Sequence, residues 1–218
     1  MTYQHDVFIS YKREANWTPW TRDHFKSLLQ SYLQQDLGHL PDIFIDERIE
    51  SEIGEDWVQS LGKHLATSRV AVVVFSGDYF SSDWCIHELD LMLERVEKCH
   101  FAAHAAGRLI IPVIGHDGEL IPDPIARMTA ADIRKYRIAW INKDTLDYHE
   151  FSKLMREFSP KIAKAINEAP AFEDDWIPQC VNRFEAVYEA QQKGRRLPPS
   201  KFVLKAASSP LAPPRLVI

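Results

Sequence analysis

Short, almost wholly apolar runs rich in β-branched residues recur along this chain, and they constrain its fold more than any other feature. The most continuous run is 70–75, similar runs stand at 7–9, 43–45 and 109–114, and a weaker one spans 136–140. Strands that are apolar on both faces are typical of parallel sheets covered by helices on each side. The runs therefore predict an α/β fold.

Longer segments with apolar residues at helical spacing separate these runs. Helices are expected over 17–37, 55–65, 83–96 and 150–169, with one or two loose turns at 123–131. Gly38 is a plausible C-terminal cap of the first helix, and Ser81 or Ser82 can cap the third. The alternation predicts right-handed βαβ units and a flavodoxin-like, doubly wound, five-stranded parallel sheet.

Within that sheet the run 70–75 is expected at the centre because all its residues are apolar. Pro112 lacks a backbone N–H, so the fourth strand is predicted to be edge-ward or irregular. We expect one domain over 1–169, followed at 170–218 by a C-terminal helix and a proline-rich tail. The tail is predicted to extend against the domain or a partner, because it also holds apolar runs.

Composition excludes several classes of function. The net charge of −5 and the pI of about 6.0 argue against general nucleic-acid binding, and no apolar run reaches the length of a membrane span. Three cysteines without a metal-binding or disulfide spacing indicate free thiols in a reducing compartment, so a cytoplasmic location is expected. The N-terminus shows no secretory leader pattern. Neither a bound metal nor a cofactor is expected.

The familiar nucleotide and hydrolase motifs are absent. The chain has no GxGxxG loop and no Walker motif, which argues against a Rossmann dehydrogenase and a nucleoside triphosphatase. It also has no GxSxG elbow, so an ordinary serine hydrolase is not predicted. A phosphoacceptor receiver would need an acidic pair after the first strand, which is missing here.

Three segments taken in order resemble the Toll/interleukin-1 receptor (TIR) domain family over roughly residues 3–168. They are HDVFISY at 5–11, the stretch 44–46 with 53–55, and 74–76 with YFSSDWC at 79–85 and Glu88. The resemblance implies that Glu88 is the catalytic glutamate of the NAD-cleaving branch of the family, with NAD+ as substrate. Trp84 lies one helical turn earlier, where its ring can line the ribose site or pack beneath the start of the helix.

Other site residues are expected where the first two strands end, because ligands bind at the carboxyl ends of parallel strands. Ser10, Tyr11, Lys12 and Arg13 leave the first strand and Asp46 leaves the second. Lys12 and Arg13 are predicted to face the pyrophosphate of NAD+. The resemblance implies that the loop after Asp46, up to Gly54, gates the site and joins subunits.

Two classes of function stay open at this point. The first is an NAD+ glycohydrolase or ADP-ribosyl cyclase, and the second is a non-catalytic TIR adaptor or scaffold, or a bacterial effector that acts by TIR–TIR assembly. The stretch 51–54 lacks the proline common in receptor adaptors, which favours the plant- and bacteria-like branch. By resemblance we expect a bacterial antiphage protein of the Thoeris type, which self-associates and signals to a separate sensor or effector protein.

Overall fold

A computed structural model describes residues 2–14, 16–47, 55–99, 109–115 and 131–199. In these ranges five strands form one parallel sheet in the order β2-β1-β3-β4-β5. The strands are β1 (His5–Tyr11), β2 (Ile43–Ile45), β3 (Ser68–Phe75), β4 (Ile110–Ile114) and β5 (Ala131–Asp132). This confirms the predicted doubly wound, five-stranded parallel sheet.

Helices cover both faces of the sheet. They are α1 (Trp17–Trp20), a π-helical segment (Thr21–Lys26), α2 (Ser27–Leu37), α3 (Glu55–Ala66), α4 (Asp83–Lys98), α5 (Leu146–Asn167) and α6 (Trp176–Gln192). None of the helices in the described ranges is long and apolar enough to cross a bilayer.

The sheet separates two apolar cores, as expected for strands buried on both faces. In β3, Val72 faces the core built with α2 and α5, and Val73 faces the core built with α3, α4 and α6. β3 pairs with β1 and β4 along its length and lies at the centre of the sheet, as predicted. This central position fixes the carboxyl ends of β1 and β3 next to each other.

Pro112 of β4 lies opposite Val73 of β3, and β4 is the last strand but one in the sheet. The short β5 pairs only with Val113 and Ile114. Among the described residues, therefore, Pro112 faces no β5 partner on the side away from β3. The missing N–H of Pro112 is tolerated because β4 lies near the edge of the sheet, as predicted.

The predicted fifth strand at 136–140 is wrong. The observed β5 is Ala131–Asp132, and a 3-10 turn, Arg134–Tyr136, follows it. The backbone N–H of Arg134 donates to Asp132 Oδ1 at 3.1 Å, which ends the strand by a local side-chain turn. The alternating apolar residues after the turn are surface residues, and Trp140 is 87% exposed.

The helix boundaries follow the sequence signals closely. Gly38 caps α2 with φ +75°, a left-handed conformation that suits glycine. Ser82 caps α4 and accepts a hydrogen bond from the Cys85 N–H at 3.4 Å. α5 begins at Leu146, four residues before the predicted start, because Thr145 accepts from the Tyr148 N–H. The turns predicted at 123–131 lie outside the described residues, except that Ala131 belongs to β5.

α6 packs against α3 and α4 and completes the second core. Cys180 and Phe184 of α6 are fully buried. Its backbone crosses α3 at Gly62, where an added Cβ would come within 2.8 Å of Val181 Cα. The buried residues of α6 thus share one core with Trp57 and Trp84. The tail from 200 onward lies outside the described residues.

Candidate active site

A cleft opens at the carboxyl end of β1, between the end of β2 and the first turns of α4. This is the edge at which parallel α/β sheets bind ligands. Its walls are formed by Ile9, Tyr11, Lys12, Arg13, Asp46, Ser82, Trp84, Cys85 and Glu88. The cleft therefore brings together residues from three segments that are far apart in the sequence.

Glu88 reaches this cleft from the second turn of α4. The Ser82 cap fixes where the helix starts, and the four-residue spacing sets Glu88 on the same face as Trp84. Glu88 is 7% exposed, and its Oε2 lies 2.5 Å from Ser10 Oγ, within hydrogen-bond distance. A carboxyl group is thus held almost entirely out of water at the wall of the cleft.

Burial raises the pKa of Glu88 to about 8, because an ionised carboxylate is disfavoured away from water. Donation of a hydrogen bond by Ser10 to the ionised carboxylate opposes this rise in pKa. The negative charge of Asp46 adds to it, and the positive charge of Arg13 opposes it. Glu88 is therefore mostly protonated in the resting site at neutral pH, and it can ionise when a positive charge enters the cleft.

Arg13 and Asp46 are ion-paired in the same cleft. The distance from Arg13 Nη1 to Asp46 Oδ2 is 3.0 Å, and both side chains are largely buried. The guanidinium of Arg13 also lies over the ring of Trp57, 5.3 Å from its centroid. Trp57 Nε1 donates to Asp46 Oδ1 at 3.4 Å. Since Trp57 contacts both members of the pair, it helps to fix them at the cleft.

Trp84 is both a structural residue and part of the cleft wall. It is buried, and its ring meets Trp57 edge-on, with 4.8 Å between ring centroids. It also packs on Phe184 of α6, 5.9 Å between ring centroids. Both interpretations of Trp84 offered by the sequence are compatible with this position, because the same ring supports the start of α4 and lines the cleft.

Tyr11 and Lys12 complete the wall on the β1 side. Tyr11 donates from its hydroxyl to the Asp46 carbonyl at 2.9 Å, which ties the end of β1 to the end of β2. Burial keeps the pKa of Tyr11 above its usual value, so this phenol stays neutral. Lys12 is partly exposed at the cleft.

All the predicted site residues except Ser10 line the cleft. Ser10 lies behind Glu88, where its hydroxyl contacts Glu88 and the hydroxyl of Tyr79. The gating loop predicted after Asp46 falls largely on 48–54, outside the described residues. Sequence reasoning did not single out Trp57 and Tyr79. Tyr79 stands inside the quoted YFSSDWC segment, whereas nothing in the sequence distinguishes Trp57 from a core residue.

This sheet, with the buried carboxyl group of Glu88 near the carboxyl ends of its strands, defines a doubly wound α/β domain with a cleft at that edge. The chain belongs to the TIR domain family, because the family profile, described as "TIR domain", matches residues 7–155. The match includes every predicted site residue from Ser10 to Glu88.

Similar curated proteins come from plants. The chain is 34% identical over 90 residues to "Disease resistance protein RPP2B" of Arabidopsis thaliana, covering 41% of this chain and 6% of that protein. It is 31% identical over 115 residues to "Protein SUPPRESSOR OF npr1-1, CONSTITUTIVE 1" of the same plant, covering 52% of this chain and 7% of that protein. The chain thus spans a small part of the length of these relatives.

Two solved structures are also similar. The TIR domain of the Toll-related receptor TRR-2 from Hydra magnipapillata has a TM-score of 0.38 and 18% identity, covering 70% of this chain and 99% of that chain. The TIR domains of the activated Roq1 resistosome, which directly recognises the pathogen effector XopQ, have a TM-score of 0.37 and 22% identity. The match covers 84% of this chain and 98% of the resistosome chain.

Proposed function

We propose that this protein is an NAD+ nucleosidase or ADP-ribosyl cyclase. It cleaves the nicotinamide–ribose bond of NAD+ and gives nicotinamide plus ADP-ribose or a cyclic isomer. The observation that carries the proposal is the Glu88 carboxyl group, largely buried in the wall of the cleft one helical turn from Trp84. The resemblance to the NAD-cleaving branch of the family points to the same residue.

The chemistry needs one carboxylate. When the bond between nicotinamide and ribose C1′ breaks, its electron pair goes to the pyridinium nitrogen, and nicotinamide leaves as a neutral molecule. Positive charge then develops at C1′, as in glycoside hydrolysis. The ionised Glu88 stabilises that charge, and no acid is needed for the leaving group. Water, or a nitrogen of the adenine ring, then attacks C1′ and gives the linear or cyclic product, and in either case a proton is released to solvent.

The electrostatics of the cleft suit a substrate that is cationic at one end and anionic at the other. A nicotinamide ribosyl cation beside Glu88 favours ionisation of this carboxyl, which is protonated when the cleft is empty. Lys12 and Arg13 stand at the same cleft and are suited to the pyrophosphate. Asp46 can accept hydrogen bonds from ribose hydroxyls, and Trp84 offers a flat wall to the sugar.

The finer setting of this activity is also a proposal. We expect self-association through TIR–TIR contacts to raise the activity, because by family resemblance a neighbouring subunit's loop completes the site. The isolated chain should then be weakly active at low concentration. The product is expected to act as an immune signal, recognised by a separate sensor or effector protein. An antiphage role in a bacterium stays a prediction.

Product analysis tests the proposal. The purified chain is incubated with NAD+ across a range of protein concentrations. The products are separated and quantified by chromatography and identified by mass spectrometry. The expected result is one nicotinamide for each ADP-ribose or cyclic isomer formed, lost in Glu88→Ala. The proposal fails if the concentrated protein releases no nicotinamide, or if Glu88→Ala releases it at the wild-type rate.

A second candidate function is a TIR assembly module without catalysis. Exposed apolar side chains near the start of α5 favour it, since Trp140 is 87% exposed and Leu146 is 74% exposed. Such residues are suited to contact another protein. Under this alternative, Trp140→Ala reduces self-association measured by light scattering, while no variant of Glu88 changes the level of NAD+.

A further inference from the structure

A continuous set of hydrogen bonds runs from Glu88 back into its own helix. Glu88 Oε2 lies 2.5 Å from Ser10 Oγ, and Ser10 Oγ lies 2.6 Å from the Tyr79 hydroxyl. The Tyr79 hydroxyl in turn donates to the Cys85 carbonyl at 3.0 Å. Tyr79 is fully buried and Ser10 is 2% exposed, so the set is shielded from solvent.

The number of hydrogens in this set depends on the charge of Glu88. Three contacts join four oxygen atoms, while Ser10 and Tyr79 together supply two hydrogens. When Glu88 is protonated it adds a third, and every contact then holds one hydrogen. The direction is fixed in that state, because the Cys85 carbonyl can only accept: Glu88 donates to Ser10, Ser10 to Tyr79, and Tyr79 to the carbonyl.

When Glu88 is ionised, two hydrogens serve three contacts. Ser10 must donate to the carboxylate, since an ionised carboxylate only accepts. Tyr79 then donates either to Ser10 or to the Cys85 carbonyl, and the other contact brings two oxygen atoms together without a hydrogen. The geometry therefore fits the protonated carboxyl better than the ionised one.

We propose that Tyr79 is a positioning residue that, through Ser10, favours the protonated form of Glu88 in the resting site and fixes the direction of its carboxyl group. This deepens the proposed function, on which its catalytic consequence rests. When a cationic ribosyl group in the cleft favours loss of the Glu88 proton to solvent, the contact between Glu88 and Ser10 reverses, because the Ser10 hydroxyl then turns to donate to the carboxylate.

Other groups face Glu88 from the surrounding elements, among the residues described. Lys12 and Arg13 come from the end of β1, Asp46 from the end of β2, and the Cys85 thiol from α4. Burial raises the pKa of the Cys85 thiol and the pKa of Tyr79, so both stay neutral over the working range of pH. The charges of Arg13 and Asp46 remain in place when Tyr79 is changed.

Tyr79→Phe separates this role from simple packing, because it removes the hydroxyl and keeps the ring. In this variant the protonated state loses two of its three hydrogen bonds, and the ionised state loses one of its two. The pKa of Glu88 should therefore fall. The loss of one net neutral hydrogen bond corresponds to ~0.5–1 pH unit.

Carbon-13 NMR of protein labelled at the glutamate side-chain carboxyl measures this pKa directly, and the Glu88 signal is assigned by its absence in Glu88→Gln. Tyr32→Phe is the matched control, because Tyr32 and Ser152 form a tyrosine–serine contact of 2.5 Å between α2 and α5. The proposal predicts a lower Glu88 pKa in Tyr79→Phe and an unchanged one in Tyr32→Phe. An unchanged or raised pKa in Tyr79→Phe overturns it.

A kinetic measurement adds a second readout. The pH midpoint of kcat/KM for nicotinamide release should move to lower pH in Tyr79→Phe by the amount seen in the NMR titration. If no variant releases nicotinamide, the proposed function fails, and the NMR titration still decides the role of Tyr79. If nicotinamide is released and the Tyr79→Phe titration matches the wild type, the role of Tyr79 fails and the proposed function stands.

Discussion

Arg13 and Asp46 form an ion pair in the cleft that Glu88 lines, with 3.0 Å between Arg13 Nη1 and Asp46 Oδ2. The two partners act on Glu88 in opposite directions. The positive charge of Arg13 lowers the pKa of Glu88, and the negative charge of Asp46 raises it. Substitutions of these two residues can therefore shift the pKa of Glu88 in either direction.

Single neutral replacements of this pair should move the pKa of Glu88 in opposite directions. Asp46→Asn should lower it, because a nearby negative charge is removed, and Arg13→Gln should raise it. The carboxyl NMR titration described above measures both shifts. Lys135→Gln is a control, because Lys135 pairs with Glu150 on the surface. Shifts of the same sign in both cleft variants would contradict this electrostatic account.

Glu88→Gln should make the protein more stable, and increasingly so as the pH rises. Burial raises the pKa of Glu88 from its ordinary value of 4.5 to about 8 in the folded protein. Between these two values the folded state keeps a proton that the unfolded state releases, so the stability of the wild type falls as the pH rises through this window.

Glutamine stays neutral and can donate to Ser10 as the protonated acid does. Melting curves from pH 5 to pH 9 should therefore show a gap between variant and wild type that widens with pH and reaches at least ~5 °C. Glu97→Gln, an exposed position on the same helix, serves as the control. A gap that is constant with pH, or a less stable Glu88→Gln, would contradict the burial of an uncharged Glu88.

Gly62→Ala should destabilise the fold although alanine favours helices. The added Cβ would lie 2.8 Å from Val181 Cα, which is backbone of α6 and cannot move without shifting that helix. Overpacking of this kind costs about 1–3 kcal/mol, measurable by urea unfolding. Lys63→Ala, one residue later and exposed, should change the free energy of unfolding by less than ~0.5 kcal/mol. Equal stability of the two variants would show that α6 does not pack tightly at this crossing.

Arg183→Met should also destabilise the protein. Arg183 in α6 contacts Asp90 Oδ2 and Glu94 Oε1 of α4, each at 2.8 Å, and Asp90 is 0% exposed. Loss of one partner from a buried ion pair costs up to about 3–5 kcal/mol. The exposed pair of Lys193 and Glu189 offers a control, since Lys193→Met should cost less than ~1 kcal/mol. Similar unfolding midpoints for both variants would show that α6 adds little to the stability of α4.

Much of the fold could be predicted because its signals are local. Residues 70–75 of β3 are apolar throughout, and the φ of +75° at Gly38 is one that glycine adopts readily. The predicted strand at 136–140 failed because the Asp132 turn ends the sheet earlier. The alternation of apolar residues there resembles a strand although Trp140 faces solvent.

The sequence could predict which residues line the cleft, apart from Ser10, but not the contacts that those residues make. The positions of the strand ends and the four-residue spacing of Trp84 and Glu88 were enough to predict that these segments meet at one edge of the sheet. The partners of those residues depend on tertiary packing, which one sequence does not encode locally. Trp57 meets Trp84 because α3 and α4 share the second core, and it meets Arg13 at the end of β1. Tyr79 meets Ser10 because β3 pairs with β1.

The most direct test of the central claim compares nicotinamide release from NAD+ by the wild type and by Glu88→Gln. The measurement is made at saturating NAD+ and at pH 9, where the wild-type carboxyl is largely ionised, with Glu97→Gln as the control. The account predicts that Glu88→Gln loses about 10²–10³-fold in kcat, because the replacement keeps the shape of the side chain and removes the charge that stabilises C1′. Equal rates for Glu88→Gln and the wild type would contradict it.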